Sequence, residues 1–334
     1  MLARFAKAGL GAGDFEEMMR WLTSIFALAL LGILPHIAFS AEAVKGAGER
    51  QALRAPHTEA APDAHAKQEG KHSVPLYAPV VVDFGQFKIT SSMIVTWVVA
   101  LGLIFFAQLA TRNLQEVPGG LQNFWEWLVE SLYEFLEGIV GHELVKHTFW
   151  FFATIFILIL SCNWFGLLPG VGSIGWGTPD AHGNLHHITR PLLRGANADL
   201  NMTFAMSMIF FLCWIYWALK ANGVKGFILH IFGPKGNATG FMKFFLIAIF
   251  AVVGVLEMVS ILFRPVSLSF RLFGNIFAGE NVLETMLSMN QYAGWLIALP
   301  FYGMELLVGL VQALVFMLLT AVFTLLICQH QEAH

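Results

Sequence analysis

The sequence predicts an all-α, polytopic membrane protein with about five membrane helices and one amphipathic helix at the membrane interface. Hydrophobic residues make up 57% of the 334 residues and charged residues only 12%, with a mean hydropathy of +0.67. A soluble chain carries about 25% charged residues, so this chain has roughly half the charge needed to cover a globular surface. The composition excludes a water-soluble enzyme, a disordered protein and a disulfide scaffold as the main interpretation.

The charges are also unevenly distributed along the chain. Of the 19 basic and 22 acidic residues, 18 fall in residues 1–89 and only six in residues 244–329. The net charge of −3 provides no basic face, so no nucleic-acid partner is expected. The three cysteines (Cys162, Cys213 and Cys328) lie far apart in or beside apolar segments, which is typical of packing residues.

The N-terminal segment, residues 1–40, resembles a targeting signal. Arg20 precedes an apolar run that extends from Leu22 to about Phe39, and Ala38-Phe39-Ser40 offers small residues where a signal peptidase cleaves. The alternative is an extra N-terminal membrane helix that is not cleaved.

Three further segments complete the predicted organisation. Residues 41–79 are polar and hold few large apolar side chains, which indicates a flexible exported tail. Residues 80–328 form the membrane domain, and residues 329–334 form a short C-terminal tail.

Hydropathy identifies the membrane spans within that domain, because each needs about 20 apolar residues. The fourth region continues past Arg264-Pro265, and the fifth is also longer than one simple span. The predicted spans are Met93–Ala110, His147–Leu168, Leu200–Leu219, Phe244–Phe263 with Val266–Leu287, and Trp295–Ile327.

An amphipathic helix is predicted between the first two spans, after the break at Pro118-Gly119-Gly120. Apolar residues recur there at helical spacing: Phe124, Trp125, Leu128, Leu132, Phe135, Leu136 and Ile139. The opposite stripe is acidic and consists of Glu126, Glu130, Glu134 and Glu137. Such a helix lies in the membrane surface, with its acidic face either solvated or docked on a partner subunit.

The fourth region is too long for a simple crossing. As one helix, residues 244–289 would reach about 69 Å, whereas the hydrocarbon core is about 30 Å thick. The pattern leaves two alternatives: Pro265 splits the region into two spans, or one helix lies steeply tilted with a protein partner along one flank.

The six charges of the C-terminal third are the candidate functional residues, because a charge at mid-bilayer costs about 2.5–3.5 kcal/mol on insertion scales. They are accompanied by two uncharged polar residues, Asn275 and Gln312. The charged set is Glu257, Arg264, Arg271, Glu280, Glu284 and Glu305.

Arg271 is the sharpest candidate, because a guanidinium stays protonated and burial cannot neutralise it. Asn275 lies one turn further on and is expected to orient it. The structural alternative is a buried pair with Glu257 or Glu280. Arg264, beside Pro265, is expected to be structural and to extend its head group to the interface.

The acidic residues predict a separate wet cavity that acts as a proton relay. Glu280 follows Arg271 by nine residues, which places it on the opposite helix face and about 13 Å along the axis. Glu305 and Gln312 share one face of the last helix, and a helical hairpin would bring that face against Glu280. Three weaker candidates either take part in this relay or lie at a membrane edge: Glu257, Glu284 and Asp199.

Other chemistry has little support in the sequence. His182, His186 and His187 have metal-like spacing, but they lie in a Gly-rich loop without a further ligand. No zinc-protease, phosphate-loop, serine-hydrolase or Cys-x-x-Cys motif is present in the sequence. No cofactor is therefore expected.

Three motifs resemble the a subunit of F-type ATP synthase, the membrane stator of that enzyme. The first is the run Pro265-Val266-Ser267-Leu268-Ser269-Phe270-Arg271-Leu272-Phe273-Gly274-Asn275-Ile276-Phe277-Ala278-Gly279-Glu280. The second is Gln312-Ala313-Leu314-Val315-Phe316-Met317-Leu318-Leu319-Thr320, and the third is Ala198-Asp199-Leu200-Asn201-Met202-Thr203. The resemblance covers about residues 80–328 and is most specific over residues 255–320.

The resemblance implies roles for the candidate residues. Arg271 matches the family's essential arginine, which faces the rotating ring of c subunits, while Asn275, Glu280 and Gln312 match polar positions of the ion pathway. Glu305 falls where some members have histidine and others an acid. The relative roles of Glu280 and Glu305 stay open.

The family also implies partners, location and topology. It implies one long tilted helix over residues 244–289, resting on the c ring, with b subunits of the peripheral stalk and the lipid bilayer as further partners. ATP synthesis takes place in a separate head, and the expected location is the bacterial inner membrane. An exported N-terminus followed by five crossings places the C-terminus in the cytoplasm, and four lysines bracket one predicted cytoplasmic loop: Lys220, Lys225, Lys235 and Lys243.

Two other classes remain as alternatives. A secondary transporter or ion channel with an intramembrane Arg/Glu site is the first, although the sequence lacks the internal repeats common in transporters. A membrane-embedded enzyme is the second, although no constellation of nucleophile or metal ligands supports it.

Overall fold

The computed structural model confirms an all-α architecture, with six helices among the residues that it describes. Residues 1–40 and the predicted tail up to residue 78 lie outside the described residues, as do the histidine loop and residues 329–334. The structure describes residues 79–83, 88–112, 115, 117, 119–168, 170–171, 175–177, 188–191, 193–232, 241–290 and 293–328.

A short hairpin precedes the first membrane helix. Strands β1 (Val80–Asp83) and β2 (Lys88–Thr90) pair antiparallel, and helix α1 (Ser91–Thr111) begins directly after β2. The backbone N–H of Ser91 donates to the carbonyl of Pro79, which fixes the hairpin against the helix start. The apolar run of α1 matches the first predicted span.

The amphipathic helix is present as α2 (Gly120–Val140), and α3 (His142–Gly166) follows after a single residue. One part of the predicted pattern is wrong. Glu126 belongs to the buried face with Gln122, whose Nε2 donates to Glu126 Oε1 at 2.8 Å, while Phe124 is left exposed. A single acidic residue can join an apolar face when a polar neighbour one turn away satisfies it.

The connection after α3 crosses one end of the helical bundle. It holds a second hairpin of β3 (Gly175–Gly177) and β4 (Ile188–Pro191), then a short 3₁₀ turn (Ala196–Ala198). The 3₁₀ turn is buried against several helices, so this end of the bundle is closed by the chain itself.

Helix α4 (Leu200–Phe232) is longer than the predicted third span, which ended at Leu219. A kink at Gly223, whose φ of 66° and ψ of 168° are not helical, divides it into two helical segments. Hydropathy located the apolar part of this helix but missed its extension, because the residues beyond Lys220 are less apolar.

The fourth region is one continuous helix, α5 (Phe241–Ser288), so the alternative of two spans split at Pro265 is wrong. Pro265 is buried, and Arg264 beside it packs on rings of two other helices, so the surroundings hold this segment in place. At about 1.5 Å per residue, α5 is about 72 Å long. A helix of that length fits one bilayer only when it is steeply inclined.

The last helix, α6 (Gly294–Cys328), runs back along α5. The bundle core is rich in aromatic side chains, including Phe151, Phe152 and Trp217, whose rings pack edge to face or tilted. Its most extensive helix contacts are α4 with α5, α3 with α6, and α5 with α6.

Five of the helices are long and apolar enough to cross a membrane: α1, α3, α4, α5 and α6. Their coverage differs, because 61% of the apolar window of α3 is buried by the rest of the chain but only 17% of that of α5. Helix α5 therefore offers a long apolar flank that this chain leaves uncovered.

Candidate functional site

Arg271 lies near the middle of the uncovered flank of α5. Its side chain is exposed, and it makes no hydrogen bond or ion pair with the residues that the structure describes. The structural alternative of a buried pair with Glu257 or Glu280 is therefore not formed. A charge in a membrane helix usually faces a cavity or a partner, and none of the described residues pairs with Arg271.

Asn275 and Gln312 join α5 to α6 just beyond Arg271. The amide Nδ2 of Asn275 donates to Oε1 of Gln312 at 2.8 Å, and Gln312 is buried. The expectation that Asn275 orients Arg271 is wrong, because its amide donates across the helix pair instead. This bond fixes the register of α5 against α6 next to the point where the Arg271 side chain projects.

Glu280 is paired with a residue that sequence reasoning did not select. Nη2 and Nε of Arg194 donate to Oε2 of Glu280 at 3.2 Å and 3.3 Å. Arg194 is only 5% exposed, and the neighbouring Gly195 lies so close that an added Cβ would be 3.0 Å from Glu280 Oε1. The connection between α3 and α4 therefore meets α5 at Glu280.

Glu305 lies next to this pair. Its side chain is 4% exposed and packs directly on the backbone of Gly279, where any Cβ would collide with the carboxylate. The antiparallel arrangement of α5 and α6 thus brings Glu305 beside Glu280, as the sequence predicted for a helical hairpin. Two carboxylates from different helices are gathered on one side of Arg271.

Buried amides continue this polar region toward α3. Nδ2 of Asn197 donates to Oδ1 of Asn163 at 2.6 Å, and Nδ2 of Asn163 donates to the carbonyl of Gly309 at 2.9 Å. The Oδ1 atom of Asn197 is buried without a hydrogen-bond partner among the described residues. A buried polar atom of this kind is usually satisfied by water, so the region suits a wet cavity.

Asp199 is buried at the start of α4 and not at an exposed membrane edge. Its Oδ1 accepts the backbone N–H of Asn201, and its Oδ2 accepts the hydroxyl of Ser92 at 2.6 Å. The first bond is an N-cap interaction, which stabilises the helix start. The second ties α1 to α4, so the local role of Asp199 is structural.

Arg264 occupies an aromatic site instead of extending to the interface. Its guanidinium carbon lies 4.3 Å from the ring centre of Phe323 and 5.4 Å from that of Trp214. Such cation–π contacts contribute about 0.5–2 kcal/mol each, depending on desolvation. Glu257 is half-buried, and Glu284 is exposed.

Three polar residues of the site were missed as candidates: Arg194, Asn163 and Asn197. Arg194 was not a candidate, because it lies in a connecting loop and not in a predicted membrane span. Asn163 lies in an apolar span, and an uncharged polar residue in such a span is a sequence signal from which it could have been selected as a candidate. The loop residues carry no periodicity, so their position against α5 could be found only from tertiary structure. The described residues hold no group of three or more potential metal ligands, and the predicted histidine cluster lies outside them.

Comparison with known proteins supports the family resemblance that the three motifs indicate. The family model described as ATP synthase A chain matches residues 93–324. ATP synthase subunit a of Gloeobacter violaceus is 35% identical over 256 residues, covering 77% of this chain and 88% of that protein. Subunit a of Desulforamulus reducens is 32% identical, covering 73% and 81%, and that of Mycobacterium tuberculosis is 28% identical, covering 73% and 87%.

The matched region runs from the start of α1 to near the end of α6, so it includes the described membrane helices and the site. The family predicted from the motifs around Arg271 and Gln312 is thereby confirmed, as is a multi-pass membrane protein. This chain belongs to the ATP synthase a subunit family and is a stator subunit of the membrane-embedded Fo sector of the F-type enzyme.

Proposed function

We propose that this chain conducts protons between two offset half-channels and a rotating ring of c subunits, and so couples ion flow to rotation. Rotation drives ATP synthesis in a separate catalytic head, and this chain itself binds no nucleotide. Arg271 is the fixed positive charge between the half-channels. The single observation that supports the proposal most is the unpaired, exposed position of Arg271 on the uncovered flank of α5.

The residues around Arg271 suit close contact with partner helices. Ser260, Ser267 and Gly274 follow one another at intervals of seven residues, and all three are exposed, as is Ala278. Small residues on a membrane helix allow a partner backbone to approach closely. The c ring is therefore the partner that covers this flank and presents its carboxylates to Arg271.

Electrostatics supplies the coupling. A ring carboxylate facing lipid must be neutral, because its ionised form would bear the mid-bilayer cost. At ~4 Å from Arg271 and an effective dielectric constant near 20, the attraction is about 4 kcal/mol, or roughly three pKa units. The carboxylate therefore ionises beside Arg271 and re-enters the lipid only after it has been reprotonated from the other half-channel.

The outer half-channel is assigned to the polar region on one side of Arg271, formed by Asn275, Glu280, Glu305 and Gln312. The opposite half-channel is assigned to the other side of Arg271, toward the segment that contains Glu257. Arg271 also prevents a direct leak of cations between the two. Glu284 is given a supporting role at the edge of the outer path, whereas Asp199 and Arg264 are assigned to helix packing.

The other partners and the location follow from the family and the surface of the chain. The a subunit needs a second contact to remain fixed while the ring turns, and we assign that contact to b subunits of the peripheral stalk. Helix α2 leaves Phe124, Trp127 and Phe135 exposed, which suits lipid or a stalk helix. The bacterial relatives favour the inner membrane as the location.

Arg271→Ala in the complete ATP synthase, reconstituted in sodium-free vesicles, tests the proposal. ATP-driven proton uptake, followed with a pH-sensitive dye, should fall to background while the complex still copurifies with its ring and head. Arg112→Ala, which removes an exposed arginine at the end of α1, should pump as the unmodified complex does. Normal pumping by an assembled Arg271→Ala complex would overturn the proposal.

A further inference from the structure

Two buried hydroxyl groups join α4 to α5 close to Arg271. Thr203 Oγ1 and Ser269 Oγ lie 3.1 Å apart, and both side chains are fully buried. The Thr203 hydroxyl also donates its only hydrogen to the carbonyl of Leu200 at 3.1 Å. Ser269 is therefore the donor in the bond between the two helices, and Thr203 Oγ1 is the acceptor.

The turn of α4 that carries Thr203 is itself held in place. The backbone N–H of Thr203 donates to the carbonyl of Asp199, and the Asp199 carboxylate accepts the hydroxyl of Ser92 from α1 at 2.6 Å. Ser92, Asp199 and Thr203 are all buried. The start of α4 is thus anchored to α1, and through Ser269 it supplies a fixed point for α5.

Around the axis of α5, Ser269 faces nearly away from Arg271. With 3.6 residues per turn, the two side chains project about 160° apart, so Ser269 lies on the covered side and Arg271 on the uncovered flank. Asn275, whose amide bonds to Gln312 of α6, projects about 120° from Ser269. Arg271 therefore lies between two hydrogen bonds, one to α4 and one to α6, which hold α5 from different sides.

Directional contacts are important because α5 has little else to fix its rotation. Only 17% of its apolar window is buried by the rest of the chain, against 61% for α3. Apolar contacts are non-directional, whereas a hydrogen bond weakens steeply when its angle changes. A rotation of α5 by about 10° would move a group about 6 Å from the helix axis by about 1 Å. A turning ring pulls sideways on Arg271, so this rotation is the motion that must be resisted.

We propose that Ser269 and Thr203 are positioning residues for Arg271. Their hydrogen bond fixes the rotation of α5, and so the place at which the guanidinium meets the ring, together with the bond that Asn275 makes to α6. This inference rests on the proposed function and assigns the residues that keep Arg271 in place. An Arg271 side chain displaced by about 1 Å keeps its charge but separates the half-channels less well, so some protons pass without turning the ring.

The number of protons taken up per ATP hydrolysed, measured for the complete ATP synthase in sealed vesicles, tests this role. Ser269→Ala removes the donor, and the ratio should fall about threefold or more, because a displacement of about 1 Å is enough to disrupt a transfer geometry. Thr203→Val removes the acceptor and should lower the ratio to a similar extent. Thr203→Ser keeps the hydroxyl and should retain more than about half of the ratio of the unmodified complex.

Ser207→Ala is the matched control. Ser207 is also fully buried on α4, one turn beyond Thr203, but among the described residues its hydroxyl bonds only to the carbonyl of Thr203 in its own helix. This variant should keep the ratio of the unmodified complex. The double variant Thr203→Val/Ser269→Ala should be no worse than Ser269→Ala alone, since the two side chains contribute to a single bond. Ser269→Ala deletes only one oxygen atom, so it decides the question if Thr203→Val does not assemble.

Two results would overturn the inference. One is a ratio for assembled Ser269→Ala that equals the ratio for Ser207→Ala, even when less complex is recovered, because the pair would then serve helix packing alone. The other is a loss with Thr203→Ser as large as that with Thr203→Val, which would make the methyl group of Thr203 important and not its hydroxyl. Failure of the proposed function is recognised separately, because it requires normal pumping by Arg271→Ala.

Discussion

The pair of helices α5 and α6 has two halves that differ in how they hold polar groups. In the outer half, Glu280 meets Arg194, Glu305 packs on Gly279, and Asn275 donates to Gln312. In the inner half, the charged group Arg264 lies over the rings of Phe323 and Trp214. Arg271 stands between the two halves and contacts neither set.

This difference shows that charge in a membrane helix does not by itself identify a functional residue. Arg264 and Arg271 are seven residues apart and project from nearly the same face of α5. Arg264 is satisfied by aromatic side chains of α4 and α6, whereas Arg271 forms no hydrogen bond or ion pair with the described residues. We therefore expect substitutions of the outer polar groups to affect conduction, and substitutions in the aromatic site of Arg264 to affect stability.

Among substitutions of uncharged residues, the largest effect is expected at Gly279, where the outer half is most tightly packed. Gly279→Ala introduces a Cβ into the space of the Glu305 carboxylate, which must turn away. ATP-driven proton uptake should fall about tenfold, because a displacement of about 1 Å is enough to disrupt a transfer geometry. Assembly should persist, since the group that moves is the end of a side chain.

Gly102→Ala is the matched control, because no atom lies within 4 Å of the added Cβ on α1. Equal uptake by the two glycine variants would show that displacing the Glu305 carboxylate does not affect conduction.

Much of this architecture could be predicted from sequence, because hydropathy is a local property. Five apolar runs correctly predicted five membrane helices, and the amphipathic pattern after Gly120 correctly predicted α2. The motif around Arg271 identified the family and brought Gln312 into the candidate set. Each of these predictions needed only residues that are close together in the chain or that match a known pattern.

The contacts between distant segments could not be predicted in the same way. Arg194 lies 86 residues from Glu280, in a loop without periodicity, so nothing local indicates that the two meet. Glu126 was assigned to the acidic stripe opposite the apolar face, but its hydrogen bond with Gln122 allows burial. The aromatic site of Arg264 depends on α4 and α6 lying on either side of it, which is a tertiary property.

A smaller effect is expected at Asn275, which holds the outer half together without carrying a charge. Asn275→Ala removes the bond to Gln312 and leaves that buried amide oxygen without its donor. Proton uptake should fall about fivefold, in keeping with the loss of one hydrogen bond of about 1 kcal/mol. Asn281→Ala, whose amide bonds only to the carbonyl of Phe277 in its own helix, should have less effect. A larger loss with Asn281→Ala would mean that the bond between α5 and α6 is not the important one.

The smallest effect on conduction is expected in the inner half. Arg264→Met keeps an apolar side chain of similar length but removes the guanidinium from the rings of Phe323 and Trp214. Uptake should stay within about twofold of the unmodified complex, because a cation–π contact stabilises the helix packing and carries no proton. The free energy of unfolding should fall by about 1 kcal/mol, which lowers the unfolding temperature by roughly 2–4 °C in a chain of this size.

A double-mutant cycle attributes that loss to the ring contact. Phe323→Leu should destabilise the unmodified chain more than it destabilises Arg264→Met, since the second variant has already lost the guanidinium. Thermal unfolding of the purified complex, followed by retention of the a subunit in the assembly, measures both steps. Strict additivity would show that Arg264 and Phe323 act independently. Loss of pumping by a stable Arg264→Met complex would contradict the assignment of Arg264 to helix packing, because it would make this arginine part of the conduction path.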